Sequence, residues 1–280
     1  STLKNCRFYF IVRDIIKKSN CNKIFTTYEG HSWERIVYYS SKEHGKNINT
    51  YGYHNTVVFK NQHSLKRNLY NNFDPDFVIC KGKGVVDFFT KNKFRSPKYI
   101  INIGSDLNCK KPVKIKTNDN FLILPEADIE ECKKLFVFTL KLSQSIPNSL
   151  FIFRLHPMTS KKLFLKSISN LKFSENLKLS NQSIEDDFKQ TGICIYRGST
   201  AVLKAIRCGL RIIYANITYM NIDALSFLNI KTLSIKDINE LRNIMKDKNG
   251  FQNYTLSIQK KINKYFSPKN NNVLIKMIDL

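Results

Sequence analysis

The sequence lacks several features that would indicate other classes of protein. It contains only 10 glycines and 7 prolines in 280 residues, with no low-complexity tract and no internal repeat. No apolar run reaches the length of about 18 residues that a membrane-spanning helix needs. These absences argue against fibrous, repeat and membrane-spanning proteins. An apolar content of 42% is enough for a sizeable folded core.

Paired cysteines are also lacking. The seven cysteines are odd in number and form no CxxC pair, and the five histidines are scattered. Cys80 and Cys194 lie inside apolar runs, so we expect small buried thiols in a reducing compartment, not a disulfide framework or a zinc site. There is no P-loop and no GxGxxG motif. We therefore expect no metal and no cofactor. In the absence of a signal peptide we expect a cytoplasmic protein.

Negative charge is scarce. Lysine and arginine number 46 against 22 acidic residues, which gives a formal net charge of +24. Such a surplus favours a polyanionic partner, such as nucleic acid, an anionic sugar nucleotide or the anionic inner face of the cytoplasmic membrane, which the protein would contact peripherally. The basic residues are spread along the chain, so compositional drift is an equally good explanation.

Apolar runs alternate with segments of helical periodicity along the chain, which predicts an α/β fold with parallel sheets. We expect an N-terminal Rossmann-like domain over residues 1–108, a polar linker over 109–119 and a second Rossmann-like domain with C-terminal helices over 120–280. The first domain is short by at least one strand–helix unit, which suggests N-terminal truncation. Two such domains would face each other across a ligand-binding cleft.

Two motifs follow predicted strands of the second domain. Arg154 and His156 end the strand LFIFRLHP, where an imidazole could hydrogen-bond a phosphate or protonate a leaving group. Gly198, Ser199 and Thr200 follow a buried strand and open a helix predicted over 200–208. Hydroxyls and free N–H groups at that turn could bind phosphate. The simpler explanations are a strand-end histidine and ordinary helix capping.

A third motif, Tyr-Glu-Gly-His-Ser-Trp-Glu-Arg over residues 28–35, lies at the first strand-to-helix turn. Glu29 could accept a proton from an acceptor hydroxyl, with His31 nearby. Trp33, the only tryptophan, either packs between helix and sheet or forms a platform for a sugar. Alternatively, Glu29 is simply an acid that interacts favourably with the dipole at the helix start, and Glu34 with Arg35 forms a surface ion pair.

Two further residues are weaker candidates. Glu126 follows the first strand of the second domain and could bind a ribose or a water beside the phosphate. It could equally be an acidic residue of a helix first turn, as Asp128, Glu130 and Glu131 are. His63 lies in a polar loop of the first domain, where it could contact an acceptor or simply be solvated.

The order of Glu29-Gly30, His156-Pro157 and Ser199-Thr200 resembles the bacterial sialyltransferases and related Kdo transferases of GT-B architecture. Those enzymes carry an acidic-acidic-Gly motif, an HP motif and a Ser-Ser/Thr motif. Here Tyr28 stands in place of the first acid. The run STAVLKAIRCGLRIIYA is similar to a stretch found widely in GT-B enzymes, with Lys204 where that stretch has a ribose-binding Glu.

The resemblance implies a metal-independent glycosyltransferase that moves an acidic sugar, sialic-acid-like or Kdo, from a CMP-sugar to a bacterial surface glycan such as lipopolysaccharide or capsule. It implies that Glu29 is the catalytic base, that His156 supports the departing CMP, and that Ser199 and Thr200 bind its phosphate. Lys204 argues against a UDP- or GDP-sugar. A UDP-sugar transferase or 2-epimerase of the same fold is the first alternative. A nucleic-acid-binding protein is the second, although no RRM, KH or zinc-finger pattern is present.

Overall fold

The structure is a computed structural model that describes residues 2–45, 47–59, 63–67, 69, 71–91, 100–108, 113–219 and 222–273. The chain divides into two compact units. The first comprises Ser1–Asn108 together with Lys264–Leu280, and the second comprises Cys109–Asn263.

The first unit contains a parallel four-stranded sheet in the order β1-β2-β3-β4. Its strands are β1 (Lys23–Thr27), β2 (Asn49–Tyr53), β3 (Phe77–Cys80) and β4 (Ile100–Asn102), and its helices are α1 (Thr2–Lys18), α2 (Ser32–His44) and α3 (Lys83–Lys91). Tyr28, Tyr38, Val78 and Phe89 form its main core cluster. Their burial fixes which faces of α2 and α3 meet the sheet, because an amphipathic helix must cover its apolar stripe.

The second unit contains a parallel six-stranded sheet in the order β10-β9-β8-β5-β6-β7. Its elements are β5 (Phe121–Leu124), α4 (Ile129–Ser145), β6 (Phe151–Phe153), α5 (Lys161–Ser167), β7 (Leu177–Leu179), α6 (Ile184–Gln190), β8 (Ile193–Tyr196), α7 (Val202–Arg207), β9 (Arg211–Ala215), β10 (Ser234–Ile235), α8 (Ile238–Lys246) and α9 (Lys248–Tyr265). The chain runs outward from β5 in one direction and from β8 in the other. The order therefore reverses between β5 and β8, which is where open α/β sheets bind ligands.

Continuous apolar strands explain this second sheet. All residues of β5, β6, β8 and β9 are buried, as expected for strands covered by helices on both faces. The rings of Phe121 and Phe151 stack with centroids 4.5 Å apart on neighbouring strands. The predicted alternation of strands and helices in an α/β fold is thus confirmed.

The expected domain boundary is wrong at the C-terminal end, because the chain returns to the first unit after α9. The amide of Ser267 donates to the carbonyl of Lys81 over 3.2 Å, and Ser105 bridges to Pro268. Tyr265 packs against the core of the first unit. Contacts with residues far away in the sequence decide where the segment after α9 lies, and the local sequence gives no sign of them.

The expected linker also needs correction. Residues 109–112 lie outside the described part of the chain, but the stretch from Val113 onward packs on the second unit. The amide of Lys116 donates to the carbonyl of Gly209 over 2.9 Å, and its ammonium group donates to the carbonyl of Phe188. Arg211 donates to the Asp119 carboxylate over 2.9 Å. A polar stretch without periodicity can still be fixed by hydrogen bonds to its backbone.

Candidate functional site

The loops that follow β5, β6 and β8 lie next to one another at the switch point of the second sheet. Gly198, after β8, lies against the side chain of Glu126, after β5. The hydroxyl of Thr159, in the loop after β6, donates to the carbonyl of Ala127 over 2.9 Å. The structure thereby brings together the loops that carry His156, Glu126 and the Gly-Ser-Thr motif.

Gly198 is required by the backbone at this point. Its φ is +72°, and a Cβ there would lie 2.6 Å from Cβ and 2.9 Å from Oε2 of Glu126. Glu126 is half-buried, and burial, followed by the nearby acids Glu131 and Asp128, raises the pKa of its carboxyl group. Glu126 is not an acid of a helix first turn, because α4 begins at Ile129 and Asp128 is its N-cap.

Ser199 and Thr200 do not act as helix caps. α7 begins only at Val202 and has six residues, so the predicted helix start was two residues early. Its N-cap is Ala201, and no side chain caps it. Ser199 is buried and Thr200 is exposed, and the described residues offer neither hydroxyl a hydrogen-bond partner. Both hydroxyls therefore retain their capacity to donate to a ligand.

His156 presents one nitrogen to its own loop. Its Nδ1 accepts a hydrogen bond from the amide of Met158 over 3.2 Å. Partial burial lowers the pKa of His156, so the neutral ring predominates near neutral pH. A neutral ring whose Nδ1 accepts must carry its proton on Nε2. His156 consequently offers an N–H donor at Nε2, while the bond that its Nδ1 accepts within the loop agrees with the strand-end explanation as well.

Arg154 does not fit its predicted role in phosphate binding. Its Nη1 donates to the carboxylate of Asp187 over 2.7 Å, to the carbonyl of Gln182 over 2.8 Å and to the hydroxyl of Ser180 over 3.1 Å. Asp187 is completely buried, so it needs this cation. Arg154 therefore joins β6 to the segment around α6, and we leave it out of the proposed site.

Arg197 is the structurally important residue that sequence reasoning missed. It lies directly before Gly198, with only 1% of its surface exposed. It donates to Glu131 over 2.8 Å, to the Tyr214 hydroxyl over 2.9 Å, and to the hydroxyl of Thr218. The sequence feature that could have revealed it is a single charged residue, Arg197, between a buried strand and a glycine turn. Such a charge must be paired if the turn is to be rigid.

In the first unit, the turn after β1 holds Glu29. The carboxylate of Glu29 is 31% exposed, and its Oε2 lies 3.5 Å from Nε2 of His31. The ring of Trp33 stacks on His31 with an interplanar angle of 14°. Trp33 is 41% exposed, so it is not packed wholly between helix and sheet. An exposed ring beside a carboxylate and an imidazole suits contact with a sugar.

The loop after residue 62 lies against the same turn. The hydroxyl of Ser64 donates to the carbonyl of Glu29 over 2.8 Å, and a Cβ on Gly30 would lie 2.7 Å from the Ser64 backbone. His63 precedes Ser64 and is exposed. The structure thus brings the predicted acceptor-side residues of this unit into one neighbourhood.

Glu34 and Arg35 do not form the surface pair that the sequence suggested. Both are buried, and Arg35 donates to Asp74 over 2.8 Å. Glu34 accepts from the Thr27 hydroxyl over 2.7 Å and from three backbone amides of the turn. Neighbours in sequence point to different partners here because α2 turns them to different sides.

Within the described ranges, no group of three or more His, Cys, Asp or Glu side chains is arranged to hold a metal ion. None of the helices described combines the length and the apolar composition that crossing a bilayer requires. Lys204 is exposed on α7.

No protein-family model matches this sequence, and no curated protein matches it. Solved structures do. A UDP-GlcNAc 2-epimerase from Neisseria meningitidis bound to UDP-GlcNAc matches 98% of this chain and 80% of its own, with a TM-score of 0.59 and 10% identity.

A co-structure of S. aureus MnaA with UDP matches 98% of this chain and 77% of its own, with a TM-score of 0.63 and 9% identity. The calicheamicin glycosyltransferase CalG4 matches 93% and 74%, with a TM-score of 0.57 and 8% identity. The chain has the GT-B fold. Identities this low establish the fold alone, and the α/β fold class predicted from the sequence is thereby confirmed.

Proposed function

We propose that the chain is an enzyme that uses a nucleotide-activated sugar, with the nucleotide bound at the switch point of the second unit. The observation that carries this proposal is that the loops carrying His156, Glu126 and the Gly-Ser-Thr turn follow three adjacent strands and contact one another. GT-B relatives whose names specify UDP and UDP-GlcNAc support the nucleotide sugar as the ligand class.

Each group has a role that its chemistry allows. The Nε2–H of His156 donates to a phosphate oxygen of the nucleotide, and the hydroxyls of Ser199 and Thr200 donate to others. These fixed donors stabilise the negative charge that develops on the phosphate as the sugar leaves. Glu126, whose pKa is raised, accepts from or donates to a ribose hydroxyl.

Glu29 acts as the base in the transfer reaction. The oxygen of an acceptor hydroxyl bonds to the anomeric carbon, the bond from that carbon to the phosphate oxygen breaks, and the hydroxyl proton passes to the Glu29 carboxylate. Trp33, His31 and His63 contact the acceptor, a surface glycan. The partial exposure of Glu29 leaves its carboxylate accessible to such a hydroxyl.

We take a UDP-sugar as the first donor to test, because solved structures that share this fold hold UDP-GlcNAc and UDP. A CMP-linked acidic sugar is the second candidate. It is favoured by the ammonium group of Lys204, which stands where similar GT-B stretches carry a ribose-binding carboxylate. An acidic sugar would also suit the net charge of +24.

Calorimetric titration with UDP, CMP, CDP and GDP tests this proposal. Wild-type protein should bind UDP selectively, and His156→Ala should weaken binding by about tenfold, the loss expected for one hydrogen bond to a charged group. His44→Ala, on α2 of the first unit, is the matched histidine control. Selective CMP binding would choose the second donor. If none of the four nucleotides binds, the proposed function is wrong.

A second assay separates transfer from epimerisation. Incubation with the UDP-sugar that binds, followed by NMR, shows whether C2 of the donor sugar inverts or whether UDP is released. UDP release that depends on an added glycan and is lost in Glu29→Gln supports transfer. C2 inversion without UDP release would assign the chain to the epimerases.

A further inference from the structure

The turn between β1 and α2 contains an anion-binding concavity that the chain fills by itself. Three consecutive amides, of Glu29, Gly30 and His31, donate to the carboxylate of Glu34 over 2.8–3.1 Å. Gly30 has a φ of +84°, which turns its amide towards the same point as its neighbours. The hydroxyl of Thr27 adds a fourth donor at 2.7 Å.

Successive backbone amides in such a turn normally bind phosphate or another external anion. Glu34 is completely buried, and its two oxygens accept from all four donors. Its carboxylate therefore takes the place of a ligand. A phosphate group is excluded from this turn both by that occupancy and by repulsion between like charges.

The carbonyls of the same turn are fixed from the other side. The buried ring of His54 contacts the carbonyl of Tyr28 through Nδ1 at 2.9 Å, and only an N–H can donate there. Nε2 of His54 is buried and has no hydrogen-bond partner among the described residues, so it is an unsatisfied acceptor of the neutral ring. The Ser64 hydroxyl donates to the carbonyl of Glu29. The amides of residues 29–31 and the carbonyls of Tyr28 and Glu29 are thus all hydrogen-bonded.

We infer that Glu34 is a positioning residue: its carboxylate fills the anion nest of the turn and so fixes the backbone from which Glu29 projects. The filled turn accepts no external anion, which agrees with the proposed binding of the nucleotide phosphate in the second unit. The inference rests on the proposed role of Glu29 as the base. Glu34 does not touch substrate, and it acts through the amides of residues 29–31.

Turnover of the donor identified by titration tests the inference. Glu34→Ala should reduce kcat by about 100-fold, the size expected for misplacing a reacting group by about 1 Å, with donor KM nearly unchanged. Glu34→Gln should also lose activity, because its NH2 group would face amide donors. Glu240→Gln is the matched control, since Glu240 accepts the amide of Lys236 at the start of α8. It should retain wild-type kcat.

Added formate provides the decisive readout. In Glu34→Ala, formate should enter the empty nest, raise the melting temperature and restore part of kcat, whereas it should not raise the melting temperature of Glu29→Ala. If Glu34→Ala does not fold, Glu34→Gln, which keeps the shape, is used for the kcat comparison.

The possible failures are distinguishable. Normal kcat in folded Glu34 variants alongside an inactive Glu29→Gln would overturn the positioning role. Normal activity of Glu29→Gln would instead overturn the proposed base. Formate-dependent stabilisation of Glu34→Ala tests the nest itself, whatever reaction the protein catalyses, and its absence would refute the nest.

Discussion

Substitution of Gly198 by alanine is the most informative perturbation of the switch point. A φ of +72° costs an L-residue about 1–2 kcal/mol. The new methyl group would also lie 2.6 Å from Cβ of Glu126 and 3.1 Å from Cδ1 of Ile222, and such overpacking costs about 1–3 kcal/mol. We therefore expect a loss of about 2–5 kcal/mol, or roughly 4–20 °C in melting temperature for a unit of this size.

The assay combines thermal unfolding with nucleotide titration at a temperature where the variant is folded. Relief of the clash must move Glu126 or the turn that carries Ser199, so we expect nucleotide affinity to fall at least about tenfold, or about 1.4 kcal/mol. Gly209→Ala is the matched control. Gly209 has a φ of +81°, and a Cβ there would lie 2.2 Å from the carbonyl oxygen of Lys114, away from the candidate site.

The two variants should therefore share a loss of stability and differ in binding. Equal nucleotide affinity in Gly198→Ala and wild type, with the expected drop in melting temperature, would refute the assignment of this turn to the nucleotide site. Weaker binding in Gly209→Ala as well would show that general loosening of the unit is the cause.

Three further predictions concern other parts of the structure. Arg197→Leu leaves the Glu131 carboxylate without its buried partner and should lower the free energy of chemical unfolding by about 3–5 kcal/mol. Lys134→Met, which removes an exposed partner of Glu131, should lower it by only about 0–1 kcal/mol. Equal losses in the two variants would contradict the argument from burial. Burial lowers the pKa of His54, so below the unfolded-state pKa of about 6.5 the unfolded chain binds the proton more readily than the folded protein; the free energy of unfolding should fall as the pH drops below about 6.5, and His54→Gln should make that fall smaller in chemical unfolding at several pH values. Trp33→Ala should change the unfolding free energy by less than about 0.5 kcal/mol but raise KM for the glycan acceptor and not for the donor; a large loss of stability would instead indicate a packing role.

The parts of the site that could be predicted from the sequence are those fixed by a short, continuous stretch of residues. A buried apolar strand followed by a glycine or proline turn has a recognisable pattern, and the ends of parallel strands meet at one edge of a sheet. His156, Glu126 and Gly198 were found in this way, and their loops do lie together. Their roles remain predictions until nucleotide binding is measured.

The parts that sequence misjudged depend on partners far along the chain. Arg154 is paired with Asp187, 33 residues away, and Arg35 with Asp74, 39 residues away. A charged residue is read as exposed because burial of an unpaired charge is costly, but a distant partner removes that cost. Glu34 was misjudged for a different reason: its partners lie close by in the sequence, but most are backbone amides, which every sequence contains.

The return of the chain after α9 has a consequence for synthesis. Gly82 and Gly84 leave room for Tyr265, and a Cβ on Gly82 would lie 2.3 Å from the carbonyl oxygen of Tyr265. On the ribosome, the second unit is complete once Asn263 has emerged, whereas the first unit still lacks part of its core. Since domains generally fold as they emerge, the later unit should mature first and the earlier one should wait as an open intermediate. Chaperones would meet this protein chiefly through its first hundred residues.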